Sequence, residues 1–205
     1  MAEILVPESN SQHTLSRNSA GRVIAGLAWD PNPSLGIIGT IRSMIMRYDE
    51  DNFDLDLSCY IYDNERKCID YVTGEKDRII DSSGGVRQDG DERDGKTQGD
   101  DEQIIIDLLA LPREITSLIM LCEVASAHAF GNIHNPNARL ADYGTNEDFL
   151  HTVPGHNNGH DKSACVFAVL KRVEENTWQA DHISHYIDRE DVEDDWPAYL
   201  AQFAE

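Results

Sequence analysis

The chain contains 205 residues with a mass of 23.0 kDa, and 40% of them are hydrophobic, which is enough to bury the core of one large domain. The 38 acidic residues outnumber the 17 basic ones and give a formal net charge of −21. A field of this sign repels the phosphates of nucleic acids and of anionic lipids. We therefore predict no nucleic acid partner, and no direct membrane contact unless bound cations bridge the two surfaces.

The predicted compartment is the cytoplasm. The N-terminal residues lack the basic and apolar regions of a signal peptide, and the longest apolar run, 164–170, is too short to span a bilayer. The cysteines are widely spaced and include no CxxC pair, so we interpret them as buried thiols rather than as metal ligands or redox partners. They are Cys59, Cys68, Cys122 and Cys165.

Strand patterns dominate the chain from residue 54 onwards. Residues 54–62 alternate, with apolar residues at 55, 57, 59 and 61 on one face, which is typical of a half-buried strand. Further strands are predicted at 103–109, 117–124, 137–143, 164–173 and 178–187, and the polar residues 174–177 make the last two a hairpin. Many short strands separated by turns indicate an all-β fold, a β-sandwich with a few short helices.

The remaining segments complete a single predicted domain, 1–205, with its core at about 20–187. Residues 1–20 are expected to be frayed, and the polar, Gly- and Pro-containing stretch 144–161 is expected to be a mobile loop. Trp196, Leu200 and Phe203 have helical spacing behind an acidic start. They predict a short helix over about 195–204 that packs on the sandwich.

The segment 89–102, DGDERDGKTQGDDE, places seven carboxylates and three glycines in one predicted loop. Like charges a few Å apart repel by about 1 kcal/mol per pair even in water, so this loop must be solvated or neutralised by a hard cation. An EF-hand alignment with Gly95 at position 6 fails, because it puts Gly90 where a carboxylate is needed. We therefore expect calcium between loops at one end of the sandwich, near Asp54 and Asp56, whose spacing places them on one strand face.

Ordered motifs in this region read NFDLDLS at 52–58, GGV at 84–86, GDER at 90–93, Gly95 and GDDE at 99–102. They resemble the TerD family of tellurium-resistance and stress proteins, and the resemblance covers roughly residues 20–185. It implies a calcium-binding β-sandwich without an established catalytic activity. It also implies a bacterial cytoplasmic role in resistance to tellurite and other stresses. We expect the protein to exert this role through protein partners.

The resemblance also implies the metal ligands. It transfers the role of calcium ligand to eight acids: Asp54, Asp56, Asp91, Asp100, Asp101 and Glu102, with Asp30 and Glu92 as further members. The chain departs from the family pattern at Asn52 and Ser83, where the family usually has aspartate, and the segment 31–49 looks inserted. Fewer charges at these positions weaken a calcium site.

Other interpretations stay open at this stage. The acidic loop could be a solvated surface, and the protein a calcium-independent acidic scaffold for partner binding. A transition metal could bind His151, His156 and His160 with Asp161, or His182 and His185, although the first set lies in a predicted loop and the second pair on opposite strand faces. A metal-dependent hydrolase is the third class, but no Ser-His-Asp, Cys-His or HExxH pattern supports it. We therefore predict that the protein is not an enzyme.

Overall fold

The structure is a computed structural model that describes residues 12–15, 21–31, 53–91, 99–126, 128–193 and 195–204. This part of the chain forms two antiparallel sheets that pack face to face. The predicted all-β sandwich is therefore confirmed. The strands are β1 Gln12–Leu15, β2 Arg22–Asp30, β3 Leu55–Asp63, β4 Cys68–Val72, β5 Val86–Asp91, β6 Glu102–Asp107, β7 Ile115–Val124, β8 His134–Asp142, β9 Asp148–Thr152, β10 Ala164–Glu174 and β11 Thr177–Ile187.

One sheet has six strands in the order β1-β11-β10-β7-β3-β4, and the other has five in the order β5-β6-β2-β8-β9. The main core lies between them. In β3 every second residue from Leu55 to Ile61 is fully buried there, as the alternation predicts. From the opposite sheet, Leu27 and Ile104 fill the same layer. The hairpin predicted between the last two long strands is also present, with Glu174 paired to Thr177.

Two segments differ from the sequence-based expectation. Part of the expected frayed N-terminus forms β1, which pairs with β11 because the edge of that long strand offers unpaired backbone groups. Part of the expected mobile loop 144–161 forms β9, which pairs with β8 and buries Leu150. Only Phe149 and Leu150 of this strand are apolar, and two adjacent apolar residues give a weak strand pattern. The inserted segment 31–49 lies outside the described residues except for Pro31.

A second apolar cluster covers the outer face of the six-stranded sheet. The C-terminal segment forms helix α1, Trp196–Leu200, followed by a 3-10 helix at Ala201–Phe203, and Leu200 is fully buried against the sheet. The Asp195 side chain caps α1 by accepting a hydrogen bond from the Ala198 amide. The hydroxyl of Tyr62 donates to the Pro197 carbonyl oxygen at 2.7 Å and ties the segment to β3. Three further 3-10 helices span Phe130–Asn132, Asn157–Gly159 and Arg189–Val192.

The four cysteines are all free thiols. Cys59, Cys122 and Cys165 are buried, as predicted, whereas Cys68 on the edge strand β4 is only half-buried. Burial raises the pKa of the Cys59 and Cys122 thiols well above the ordinary value. These thiols are packing residues of the core.

Candidate acidic site

The end of the sandwich that carries the acidic loop brings four strands together. The loop connects β5 to β6, and Glu102 at the start of β6 is paired in register with Asp91 of β5 and with Leu27 of β2. The Glu102 Oε2 atom also accepts a hydrogen bond from the Leu57 amide of β3 at 2.6 Å. Strand ends that are distant in sequence therefore meet at this end, which we call the acidic end.

Asp101 and Glu102 are the buried carboxylates of the acidic end. Their exposed fractions are 4% and 1%. Asp101 donates its amide to the Leu27 carbonyl oxygen at 2.8 Å, and its Oδ2 atom accepts from the Trp29 amide at 2.9 Å. Both side chains are thus fixed by backbone groups of other strands. Two adjacent, positioned carboxylates offer the hard oxygen donors that calcium prefers.

Asp100 has a different role from its two neighbours. Its oxygens accept from Arg139 Nε at 2.9 Å and Nη2 at 2.8 Å, and Gln103 donates to Oδ2 at 3.1 Å. The Asp100 and Arg139 side chains are only 6% and 14% exposed. A two-point ion pair of this kind neutralises the carboxylate and fixes its orientation.

The Asp100–Arg139 pair rests on a glycine. A Cβ atom at Gly26 of β2 would lie less than 3.0 Å from three atoms of the Asp100 carboxylate. Glycine at this position therefore lets the Asp100 side chain lie flat on the outer face of the five-stranded sheet. Arg139 also donates to Asp148 at 2.7 Å and to Asn146 at 2.9 Å, which ties the pair to the β8–β9 hairpin.

Asp54 and Asp56 lie near the same end but line a separate cavity on the outer face of the six-stranded sheet, and neither Asp101 nor Glu102 belongs to its lining. In β3, Asp56 is paired with Glu123 of β7. Glu123 is buried, and its Oε1 atom accepts from Arg189 Nη2 at 2.9 Å. Burial raises the pKa of Glu123, although the charge of Arg189 opposes the shift.

The other predicted ligands are dispersed or lie outside the described side chains. Asp30 is exposed and accepts a hydrogen bond from Asn135. Asp91 takes part in β5, but its side chain and the whole of Glu92 are outside the described part of the structure. Within the described residues, no group of three or more His, Cys, Asp or Glu side chains could hold one metal ion. The ligand assignment therefore stays a prediction that depends on the loop acids.

The histidines alternatively considered as metal ligands make other contacts. His151 is paired with Arg139 across β8 and β9, and the ring of His160 packs against Gly131. His182 is buried and its Nε2 atom lies 2.8 Å from the Ser184 hydroxyl. Among the side chains that the structure describes, none of these histidines belongs to a metal-binding group.

Sequence reasoning missed the roles of Glu123 and Arg189. Glu123 is the only charged residue in the otherwise apolar or neutral stretch 117–124, and such an isolated acid in a buried strand is a signal of a specific partner. Arg189 has no comparable signal, because it lies in a polar segment after β11. Their pairing across 66 residues depends on the folded chain.

Comparison with known proteins agrees with this architecture. The TerD domain matches residues 1–190. The chain is 31% identical to the stress response protein SCP2 of Bacillus subtilis over 153 residues, which are 70% of this chain and 73% of the relative. It is 31% identical to the uncharacterized protein YceE of the same organism over 136 residues, 63% of each chain, and 29% identical to the tellurium resistance protein TerZ of Serratia marcescens over 135 residues, 65% and 66% of the two chains.

The fold also matches a solved structure. A homologue of the telluride resistance protein TerD from Streptomyces coelicolor superposes with a TM-score of 0.66 at 18% identity, covering 88% of this chain and 95% of the homologue. The protein is thus an antiparallel β-sandwich of the TerD type. The chain belongs to the TerD family, whose named members include tellurium-resistance and stress-response proteins. Within the described residues, no helix is long and apolar enough to cross a membrane.

Proposed function

We propose that the protein is a cytoplasmic, calcium-binding stress-response protein that acts by binding partner proteins and contributes to resistance against tellurite and other stresses. The observation that supports calcium is the pair Asp101 and Glu102. These two buried carboxylates directly follow the acidic loop and are fixed by amides of β2 and β3. The family names of its relatives support the role in stress.

The donor set at the acidic end fits a hard cation. Asp101 and Glu102 supply carboxylate oxygens, and the backbone register pairs Asp91 with Glu102. Asp100 fits less well, because both of its oxygens already accept from Arg139. In this proposal, calcium neutralises the loop acids and orders the surface that a partner recognises.

A calcium-independent acidic scaffold is the second candidate. It is favoured by the protein's own cations, the largely buried Arg139 and the half-exposed Arg189, which already pair with Asp100 and Glu123. In that case the acidic loop acts only as a solvated docking surface. The family relatives carry names of resistance and stress proteins, which supports binding rather than catalysis as the activity.

Differential scanning calorimetry of metal-free protein, with and without calcium, tests the proposal. A ligand at a hundredfold excess over its Kd stabilises the folded state by about 2.7 kcal/mol, which raises the Tm of a domain of this size by about 5 to 10 °C. Magnesium should have a much smaller effect, since it retains its water and prefers tight octahedral sites. An unchanged Tm with calcium would exclude calcium binding and leave the scaffold.

Two matched variants locate the site. In Asp101→Asn/Glu102→Gln the amide oxygens can still accept the two backbone hydrogen bonds, but two charges are lost, so the calcium-induced rise in Tm should disappear. Glu65→Gln/Glu147→Gln removes the same charge from two exposed positions elsewhere and should keep the full rise. If both variants respond alike to calcium, Asp101 and Glu102 do not bind the ion.

Partner binding is tested by a pull-down from bacterial lysate with calcium or with chelator. We expect a defined protein to be captured in the presence of calcium and not in the presence of chelator. Co-sedimentation with anionic vesicles is expected only if calcium bridges the acidic end to head groups, since the net charge of −21 opposes direct contact.

A further inference from the structure

The face of the six-stranded sheet that points away from the main core is unusually apolar. An antiparallel sheet of this kind commonly exposes one face to solvent and carries polar residues there. In β7 and β10, by contrast, the central residues on this face are apolar and fully buried. We call this face the outer apolar surface, and it consists of Tyr60, Tyr62, Ile119, Leu121, Val166 and Val169.

The C-terminal segment, residues 195–204, covers this surface in the manner of a bound peptide helix. Its apolar residues Trp196, Leu200 and Phe203 have the i, i+4, i+7 spacing by which amphipathic helices bind hydrophobic grooves. Leu200 and Ala204 are fully buried on the surface, whereas Trp196 and Phe203 are only partly buried. The segment therefore shows which kind of ligand the surface accepts.

The segment is attached to the rest of the domain in a separable way. Among the described residues it joins neither sheet, and none of its residues belongs to the main core. Its contacts with β3 and β11 include the hydrogen bond from Tyr62 to Pro197 and the ring contact of His185 with Phe203, with 5.0 Å between the centroids. Elements that lie outside the strand ladders and the main core open locally at a lower free energy than the sheets themselves.

The boundary of the family domain supports this separation. The TerD match covers residues 1–190 and stops before the segment begins. The outer apolar surface thus belongs to the matched domain, whereas its cover does not. A contiguous apolar surface that a domain does not cover itself is typical of a protein interaction site.

We infer that the outer apolar surface is a docking site for a short amphipathic helix of a protein partner. The partner helix carries large apolar residues at i, i+4 and i+7, and it replaces the C-terminal segment, which occupies the surface in the free protein. The exposed side of the partner helix is basic, because the net charge of −21 repels an acidic partner. The inference shares with the proposed function only the premise of partner binding, since Asp101 and Glu102 are not part of this surface.

Fluorescence anisotropy of a labelled peptide with the sequence of residues 191–205 tests the inference on the metal-free full chain. Leu200→Asp places a charge at a fully buried position and so releases the C-terminal segment. The peptide should bind this variant at least about tenfold more tightly than the wild type, in which the attached segment competes for the surface. A peptide that itself carries Leu200→Asp should bind neither protein. No binding to the variant, or equal binding to the wild type, would overturn the inference.

Leu200→Ala repeats this comparison with a smaller perturbation. It should bind the peptide with an affinity between those of the wild type and Leu200→Asp. Near-UV circular dichroism verifies that each variant keeps its native packing. An affinity no higher than that of the wild type in a natively packed variant would contradict the displacement of the segment.

Native-state hydrogen exchange tests the separation of the segment without any variant. The Tyr199 and Ala204 amides donate to the carbonyl oxygens of Asp195 and Ala201. If the segment opens locally, these amides should exchange faster than the central amides of β7 and β10. Exchange as slow as in those strands would mean that the segment opens only when the whole domain unfolds, and a partner could not replace it.

Two further measurements locate the peptide and test the charge of the partner. In the NMR spectrum of Leu200→Asp, the peptide should shift the ring signals of Tyr60 and Tyr62 and leave those of Tyr143, which follows β8 of the other sheet, unchanged. Shifts at Tyr143 alone would overturn the assignment of the surface. A peptide with Gln202→Lys, at an exposed position, should bind more tightly at low salt, and weaker binding would contradict a basic partner.

The same proteins separate this inference from the calcium proposal, because the peptide titrations contain no calcium. Leu200→Ala should keep the calcium-induced rise in Tm. Asp101→Asn/Glu102→Gln should lose that rise and keep the affinity of the wild type for the peptide. Failure of peptide binding with the rise in Tm intact would reject this inference alone.

Discussion

Breaking the ion pair between Asp100 and Arg139 from one side should lower the free energy of unfolding strongly, and replacing Arg139 by glutamine tests this. The substitution leaves the Asp100 carboxylate, 6% exposed, without its cation on the face of the sheet above Gly26. Removing one partner of a buried pair costs about 3 to 5 kcal/mol, because the remaining charge stays desolvated. Arg139 also pairs with Asp148, whose side chain is 42% exposed. The loss of this second ion pair adds at most about 1 kcal/mol to the destabilisation.

Urea denaturation of metal-free protein, followed by tryptophan fluorescence, measures this loss. With a slope of about 2 kcal/mol per molar urea, the midpoint of Arg139→Gln should fall by about 2 M. The double variant Asp100→Asn/Arg139→Gln should recover most of the stability, since no uncompensated charge remains. Arg113→Gln is the control, because its pair with Glu175 is 82% and 61% exposed and should contribute less than about 1 kcal/mol. A loss in Arg139→Gln as small as in Arg113→Gln would refute the argument.

Three further outcomes follow from the packing. Gly26→Ala should lower the midpoint of urea unfolding as much as Arg139→Gln does, because the added methyl group displaces Asp100, and a neutral result would contradict the close approach. Because burial raises the folded-state pKa of Glu123, the unfolded state ionises first as the pH rises, so stability is lost from the unfolded pKa upwards until the folded state ionises too, and no cost exists below the unfolded pKa. The stability of the wild type relative to Glu123→Gln should therefore fall as the pH rises above the ordinary pKa of a glutamate, about 4.3, whereas a constant difference would disprove the shift. Leu200→Ala should lower the free energy of unfolding by about 2 to 5 kcal/mol if α1 is packed as part of the folded domain. A decrease below about 1 kcal/mol would mean that the packing of α1 contributes little to stability.

Apolar segments of strand length were sufficient to predict six strands, by alternation in β3 and by continuous apolar runs in strands such as β7 and β10, which are buried on both faces. The strand β2 was missed although its residues Val23 to Leu27 are similarly buried, since Ala25, Gly26 and Ala28 have low strand propensity. The short edge strands β4 and β5 have too few buried residues for a pattern. Their pairing depends on neighbours that are distant in sequence.

The roles of the candidate-site residues could not be predicted from the sequence alone, and the three successive acids 100–102 show why. In sequence they form one acidic run, and all three were predicted as ligands. In the structure Asp100 contacts Arg139, Asp101 contacts Trp29 and Glu102 contacts Leu57. Only Glu102 belongs to β6, and Asp100 and Asp101 precede it, so the role of each acid depends on the path of the loop end and on the neighbouring strands, which the sequence pattern does not give.

Both β1 and β10 pair with β11, which is the last strand to be synthesised. This order has a consequence for folding on the ribosome. All strands of the five-stranded sheet are made once Thr152 has been added, whereas the six-stranded sheet needs residues 177–187. Until then β10 has an unpaired edge, which can associate with other nascent chains. In ribosome-bound chains tethered through a C-terminal linker longer than the exit tunnel, we expect protease resistance to appear in two steps, the second after Ile187 has left the tunnel, and a single step would contradict this order. Protection of nascent β10 by chaperones should matter most in the interval between the two steps.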